Sequence, residues 1–369
     1  MSKIFELYGY RLDCWNAEAS ANREKAWCPF MGAECDGGGN RYLSAIDIRK
    51  HPRLKEFFPG KKIVQSGVCS LRLRDSEQPW IVCPRRLLSL KGHLSIYQAY
   101  VREQLFKYSN LEQGKLYRVW SEVKMKVETT NDDEEAKSFD YTFDYVIAGS
   151  SPKKLSEVAT LVGKGLNTTK KMAEDNQYTL ALRNGEFWID DFPSDPIVIV
   201  EIMTSSTSGG NKNKRTQIAM ACEDAVISPE NHNAPGINYR QVWAKMVSQL
   251  IVKSQVGLAW NGKTIWILQD LLAQYISSTT ALDLSKYIAQ YPDEVNILAL
   301  GYGEIDAGTP TPIIELRDST FYAGPIINNA DNSVSKGFVE IVKIGAPPEK
   351  EYLWRALFKK ASCGNVVLK

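Results

Sequence analysis

The run Asp195-Pro196-Ile197-Val198-Ile199-Val200-Glu201-Ile202-Met203 constrains the fold more than any other part of the chain. Four consecutive β-branched residues favour extended backbone. Because apolar and polar residues do not alternate along it, neither face of this strand meets water. Strands of that kind lie inside sheets that are covered on both sides. Period two then sets Glu201 on the face of Ile197 and Ile199, where a lone charge would be costly. A cationic group is expected beside it.

The flanking sequence supplies the other layers. LYRVWSEVKMKVE alternates from Val119 through Val127, a polar turn follows over Thr130 to Ala136, and SFDYTFDYVIAG alternates again, which reads as a hairpin. Leu94 to Tyr108 spaces apolar residues three and four apart, as a helix does. Residues 152–190, rich in Lys, Asn and Gly, read as an insertion. SSTSGGNKNKR reads as a flexible basic loop, and beyond Asn238, a candidate N-cap, Tyr239 to Ile251 carry a 3.6-residue apolar period. VGLAW, TIWILQD, NILALGY and TPIIELR read as strands, with a helix near Leu271 to Ile276. The order is that of an α/β protein with a mixed central sheet flanked by helices.

Composition narrows the function classes. With 369 residues, 44% hydrophobic and 24% charged, the chain can bury a full core. It has no long uncharged apolar run and no signal-peptide pattern at its start, so no membrane partner and a cytoplasmic location are expected. A net charge of +2, from 45 Lys+Arg against 43 Asp+Glu, is too small for a passive nucleic-acid coat protein. Any DNA binding must come from local patches.

Four of the seven cysteines, Cys28, Cys35, Cys69 and Cys83, fall within residues 28–83, among turn-rich segments such as Asp36-Gly37-Gly38-Gly39-Asn40. Such segments look too short and irregular to build an apolar core of their own. Four thiolates suit tetrahedral zinc or a single iron, and a bound metal can supply missing folding energy. Buried free cysteines are the alternative, and Cys14, Cys222 and Cys363 read that way. The chain therefore divides into a metal-binding module over 1–93 and a larger core over 94–369. His51 and His93 gain no catalytic role.

Carboxylates at the ends of neighbouring strands make an oxygen-rich site for Mg²⁺. Asp144, followed by Val146 to Gly149, pairs naturally with Glu201; Asp140 repeats the same Phe-Asp pattern and competes. Glu122 could lend a third carboxylate or sit exposed between lysines. Ion pairing of Asp144 and Glu201 with nearby lysines is an equally open reading of the spacing.

Taken in order, YGYRLDCWN, WCPF, SGVC, WIVCPRRLL, FDYVIA, VIVEIMT and YRQVWAKM resemble the NotI-like type II restriction endonucleases, over most of the chain. The resemblance implies a PD-(D/E)xK nuclease core, Mg²⁺ at Asp144 and Glu201, an iron held by four cysteines, and a homodimer cutting both strands of double-stranded DNA at a GC-rich palindrome. Cys28 matches through Cys-Pro-Phe, Cys69 through Gly-Val-Cys and Cys83 through Val-Cys-Pro; Cys35 remains as the fourth ligand at a different spacing. Two departures stand out. The segment between Asp144 and Glu201 is longer here, and Met203 occupies the position of the usual polar helper, where a thioether can neither donate a proton nor steady charge. Lys245 on the long helix is the expected substitute, with Lys212 and Lys214 as alternatives.

Lys153-Lys154, Lys170-Lys171, Lys212, Lys214 and Arg215 are candidate phosphate contacts, and Arg72, Arg74, Arg85 and Arg86 candidate readers of guanine edges. Two rival readings remain: a non-catalytic metal-finger DNA-binding regulator, and a rubredoxin-like electron carrier for which the large α/β portion would be unnecessary.

Overall fold

The computed structural model describes residues 2–38, 44–74, 77–129, 137–208, 210–279, 282–303, 312–328, 337–338 and 349–367. The N-terminal part carries a four-stranded antiparallel sheet of β1 (Lys3–Leu7), β2 (Tyr10–Arg11), β3 (Val68–Arg72) and β4 (Trp80–Ile81), in the order β2-β1-β3-β4, with helix α1 (Ala17–Glu24) beside it. Asn16 caps α1 by accepting from the Ala19 N–H. Contrary to the sequence reading, this part does have an apolar core. Ile4, Leu7, Tyr8, Ile46, Leu54, Phe58, Val64 and Leu71 are buried together, and helix α5 (Ile218–Ile227) adds Ala221, Cys222 and Ala225. The boundary at residue 93 is thus crossed by a helix from far along the chain, which sequence proximity could not reveal.

After helix α2 (Ala99–Ser109), strands β5 (Leu116–Thr129) and β6 (Lys137–Lys154) form the expected antiparallel hairpin; its turn at 130–136 lies outside the described residues. Residues 155–183 are built onto the sheet. Helices α3 (Leu155–Val162) and α4 (Leu166–Asp175) lead to β7 (Leu180–Arg183), which pairs with the start of β8 (Glu186–Met203). Leu155, Val158, Val162 and Ala173 are buried against the sheet, so the expected insertion is a helical hairpin packed on the core, although Leu166 stays exposed.

Helix α6 (Tyr239–Ala259) runs on through VGLAW, which the sequence reading made a strand. Val252, Val256 and Trp260 lie one turn apart on one face and pack into the core, so helical spacing overrides the local strand propensity. A turn at Asn261 and Gly262 leads to β9 (Lys263–Gln269), helix α7 (Asp270–Thr279) and β10 (Val295–Tyr302), as expected. The next strand, β11 (Leu316–Gly324), begins later than TPIIELR; Ile313 and Ile314 are buried but not in a strand. Helix α8 (Lys350–Phe358) and β12 (Gly364–Val367) complete the chain.

These strands form one eight-stranded mixed sheet in the order β11-β10-β9-β8-β6-β5-β12, with β7 on β8. β8, β9 and β10 are parallel and the other pairs antiparallel. Helices cover both faces. Val198, Val200 and Ile202 point to the side of α2, while Ile197 and Ile199 point to the side of α3, α6 and α8. The architecture is α/β, as the two-faced burial of residues 197–202 requires. Among the described residues, no helix is long and apolar enough to cross a membrane.

Candidate active site and cysteine cluster

β6 and β8 pair from Lys154↔Trp188 to Tyr145↔Val200, with register shifts at Ser151/Lys153 and Ala148/Gly149, and then part. Where the ladder stops, two carboxylates take over its hydrogen bonds. The Ile202 N–H donates to Asp144 Oδ2 at 2.8 Å, and the Asp144 N–H approaches Glu201 Oε1 at 3.4 Å. The point where β8 leaves β6 therefore sets both acids beside one another, with Asp144 within β6 and not at its end as the sequence suggests. Asp140, one turn of the pleat further on, is exposed and is not part of this arrangement.

Glu201 is 3% exposed on the α6 side of the sheet. The cation that its burial demands is Lys253, whose Nζ lies 2.6 Å from Glu201 Oε2 and donates to the Thr142 carbonyl at 2.7 Å. Its ammonium also lies 5.7 Å from the Phe143 ring centre and 5.8 Å from that of Trp266. Burial, aided by the Asp144 charge, pushes the Glu201 carboxyl up to about 8 although Lys253 draws it down. The pair of acids still wants more positive charge than one lysine gives. This is the ion pairing with a lysine that the spacing left open for Glu201, and the two carboxylates are also oxygen donors of the kind a divalent cation could use.

Lys245, the helper expected from the sequence, lies on α6, but its side chain falls outside the described residues. Lys253, two turns further along α6, is the residue brought to the acids. A signal for it existed: Lys253 falls among Ile251, Val252, Val256 and Trp260, so it occupies the apolar face where a lysine is out of place. Met203 packs against the apolar side of α7 and does no polar work. Lys212 and Lys214 are exposed.

Glu122 falls opposite Asp144 across β5 and β6, since Ser121 and Val123 pair with Tyr145 and Phe143. It has a left-handed backbone (φ 52°), uncommon for a non-glycine residue. Its carboxylate is taken by Arg85 and Lys91, each at 3.1 Å, and these two hold it below the usual carboxylate range against the opposing effect of burial. Glu122 is therefore engaged away from the acidic pair and is not its third member.

The arginines expected to read bases are mostly committed elsewhere. Arg86 and Glu6 form a fully buried ion pair, with Arg86 also donating to the Ile314 carbonyl. Arg85 is 5% exposed and bridges Asp36, Glu122 and the Tyr145 hydroxyl. Neither is free to reach a DNA groove: both lie in the short helix Pro84–Leu87 and are covered by Asp36, Glu122 and Glu6 from distant segments, a tertiary effect the local sequence does not show. Arg215 is paired with Glu223 and Asp224, so it too is spent on structure. Arg74 is exposed with a loose pair to Glu77, and Arg72 stacks 4.2 Å over Phe5 beside a cavity of about 580 Å³ that also takes in Lys3, Arg11 and Trp15. Of the lysine pairs, Lys154 binds Glu186, and Lys153 and Lys170 lie over Phe192 and Phe187.

Cys28, Cys69 and Cys83 share one buried cluster with Cys14, Tyr10, Phe30 and Met31, and Cys35 packs against it. The Cys69 thiol donates to the Gly67 carbonyl at 3.4 Å and is pushed up by its neighbour Cys83 and by burial, while Cys83 is drawn down by Cys69 and by the Arg85 N–H. Burial pushes Cys28 up to about 12, and burial with Cys28 and Cys83 as neighbours pushes Cys35 up as well. Cys35, the candidate with the irregular spacing, is thus brought to the other three. Cys222 and Cys363 instead face the backbone carbonyls of Ser66 and Val119. The thiols are the right donors in type and number for iron or zinc, but among the described residues no group of three or more Cys, His, Asp or Glu side chains is arranged to hold a metal ion. No protein-family model matches the chain, and no curated protein sequence is significantly similar to it.

Proposed function

We propose that the chain is a Mg²⁺-dependent type II restriction endonuclease of the NotI-like kind, with a PD-(D/E)xK core, hydrolysing phosphodiester bonds on both strands of double-stranded DNA at a palindromic, GC-rich site. The observation that carries this reading is the triad Asp144–Glu201–Lys253: two acids joined at a strand divergence, with a lysine 2.6 Å from one of them. A regulator that merely bound DNA would have no need of two acids and a lysine gathered where two central strands part.

In this reading Asp144 and Glu201 would hold the divalent ion, which when bound would activate water and shield developing charge. The protein's own groups do the rest. An ammonium has three donors, and Lys253 gives two to Glu201 and Thr142. The third donor is available, among the described residues, to a phosphoryl oxygen or the attacking water, the task that Met203 cannot perform. Thr142 and Glu201 fix its direction, so no reorganisation accompanies charge development. Cutting both strands calls for two such sites, hence a homodimer on a two-fold site. Iron at Cys28, Cys35, Cys69 and Cys83 would hold the N-terminal part and do no chemistry. The test is incubation of plasmid DNA with the protein and Mg²⁺: discrete fragments support the reading, and intact DNA favours the metal-finger regulator.

A further inference from the structure

Thr264 is a polar residue of the sheet interior that stands outside the triad. It precedes the apolar run Ile265-Trp266-Ile267-Leu268 on β9, is 1% exposed, and pairs with Ile199, so it faces α6 on the same side as Glu201. A hydroxyl buried in such company needs a hydrogen-bond partner. Its Oγ1 donates to the backbone carbonyl of Lys253 at 2.9 Å, the residue whose side chain meets Glu201. One helical turn later stands Gly257, where an added Cβ would lie 2.5 Å from Thr264 Oγ1, so α6 comes this close because glycine leaves the space. Gly262, in the turn that follows, approaches the sheet in the same way, with an added Cβ 2.7 Å from the Ile197 carbonyl. From the far side, the buried Asn296 on β10 donates to the Thr264 carbonyl at 3.2 Å and to the Asp293 carbonyl at 2.8 Å.

We propose that Thr264 is a positioning residue: by anchoring the Lys253 carbonyl, it sets the height and phase of α6 at which the Lys253 ammonium meets Glu201. A lysine stem is flexible, so holding its ammonium 2.6 Å from a Glu201 oxygen and 2.7 Å from the Thr142 carbonyl requires a fixed backbone at its root. Apolar contacts are non-directional and leave a helix some freedom to slide, whereas a hydrogen bond of 2.9 Å to a central strand does not. The buried contacts Asn296–Thr264–Lys253–Glu201 thus run across three neighbouring strands, β10, β9 and β8, and hand the position of the sheet to the ammonium. The kinetic consequence of this rests on the nuclease reading; the placement of Lys253 by Thr264 does not.

The test compares Thr264→Val, which replaces the hydroxyl with a methyl, and Thr264→Ser, which keeps it. In the metal-free protein, nitrogen–proton NMR spectra of the lysine ammonium groups read the placement directly, because an ammonium held in hydrogen bonds exchanges its protons slowly enough to be seen. The Lys253 signal is the one missing from Lys253→Met. Wild type and Thr264→Ser should show it, and Thr264→Val should lose it. Single-turnover cleavage in Mg²⁺ should fall by about 10²-fold in Thr264→Val and recover in Thr264→Ser, the size expected when a reacting group is misplaced by about 1 Å. A merely structural hydroxyl would lower the melting temperature and leave the Lys253 signal in place. Should Thr264→Val fail to fold, Thr264→Ala, which removes the hydroxyl and puts no methyl in its place, must give the same two losses. A folded valine or alanine variant that keeps the Lys253 signal, or a serine variant or wild type that lacks it, overturns the assignment. Wild type that leaves DNA uncut overturns the nuclease reading instead, and the Lys253 signal still decides the role of Thr264.

Discussion

Replacing Lys253 by methionine separates the catalytic part of the account from its structural part. The substitution keeps the length and apolar stem of the side chain but removes the ammonium 2.6 Å from a nearly inaccessible carboxylate. Stripping one partner from a buried pair ordinarily costs 3–5 kcal/mol, ~4 on average, because a charge is left uncompensated. Here the cost depends on pH. The folded-state Glu201 sits at about 8, above the usual carboxylate range, so its contribution to stability is fully present at acid pH and is lost as pH rises toward 8. Without Lys253 the carboxyl rises further and stays protonated at pH 6, where only hydrogen bonds worth about 1–2 kcal/mol are lost. At pH 9 the full penalty of about 4 kcal/mol should appear. Thermal unfolding at the two pH values measures the difference. With Mg²⁺ at pH 7 the folded variant should bind the metal no more weakly than wild type. Its single-turnover cleavage should fall about 10²–10³-fold, as for loss of one preorganised donor. A folded Lys253→Met protein that cuts DNA at the wild-type rate would refute the assignment, and equal destabilisation at pH 6 and pH 9 would refute the electrostatics behind it.

Four further outcomes follow. Glu201→Gln removes a carboxyl that is disfavoured when charged, so at pH 8 the metal-free protein should melt higher than wild type while Mg²⁺ no longer stabilises it; calorimetry with and without the ion reads both. Below pH 8, Mg²⁺ binding should release close to one proton per site, visible as a buffer-dependent heat in titration calorimetry. Arg86→Ala should destabilise by about 3–5 kcal/mol, since Glu6 is left charged in the interior, whereas Arg74→Ala should fall within about 0.5 kcal/mol; urea melts distinguish them. If the four thiols close on a metal as the nuclease reading implies, purified protein should carry one iron or zinc per chain, lost in Cys35→Ser and retained in Cys14→Ser, as elemental analysis of the two variants would show.

Much of the sheet was readable because its strands obey simple periods. The hairpin over 116–154 alternates, and residues 197–200 are apolar on both faces, which only a covered central strand tolerates. Tertiary context decided what was missed. VGLAW has strand composition, but Val256 and Trp260 continue the helical stripe of Val252, and the local propensity lost. Arg85 and Arg86 look like surface basics in a row until Glu6, Asp36 and Glu122, from three other segments, are folded onto them. At the site, the need for a cation was legible from the burial of Glu201, while Asp144 was expected at a strand end and lies within β6. Which lysine supplied it depended on the phase of α6 against β8, and only the structure carries that phase. Lys253 on an apolar face was the signal left unused.

The central claim is that Asp144 and Glu201 cut DNA at one defined sequence, and sequencing the ends of fragments from a Mg²⁺ digest tests it most directly. Wild type should leave ends at a single palindrome, broken at symmetric positions on the two strands, while Asp144→Asn and Glu201→Gln proteins leave the same DNA intact. Random ends, or equal cutting by either variant, would contradict it.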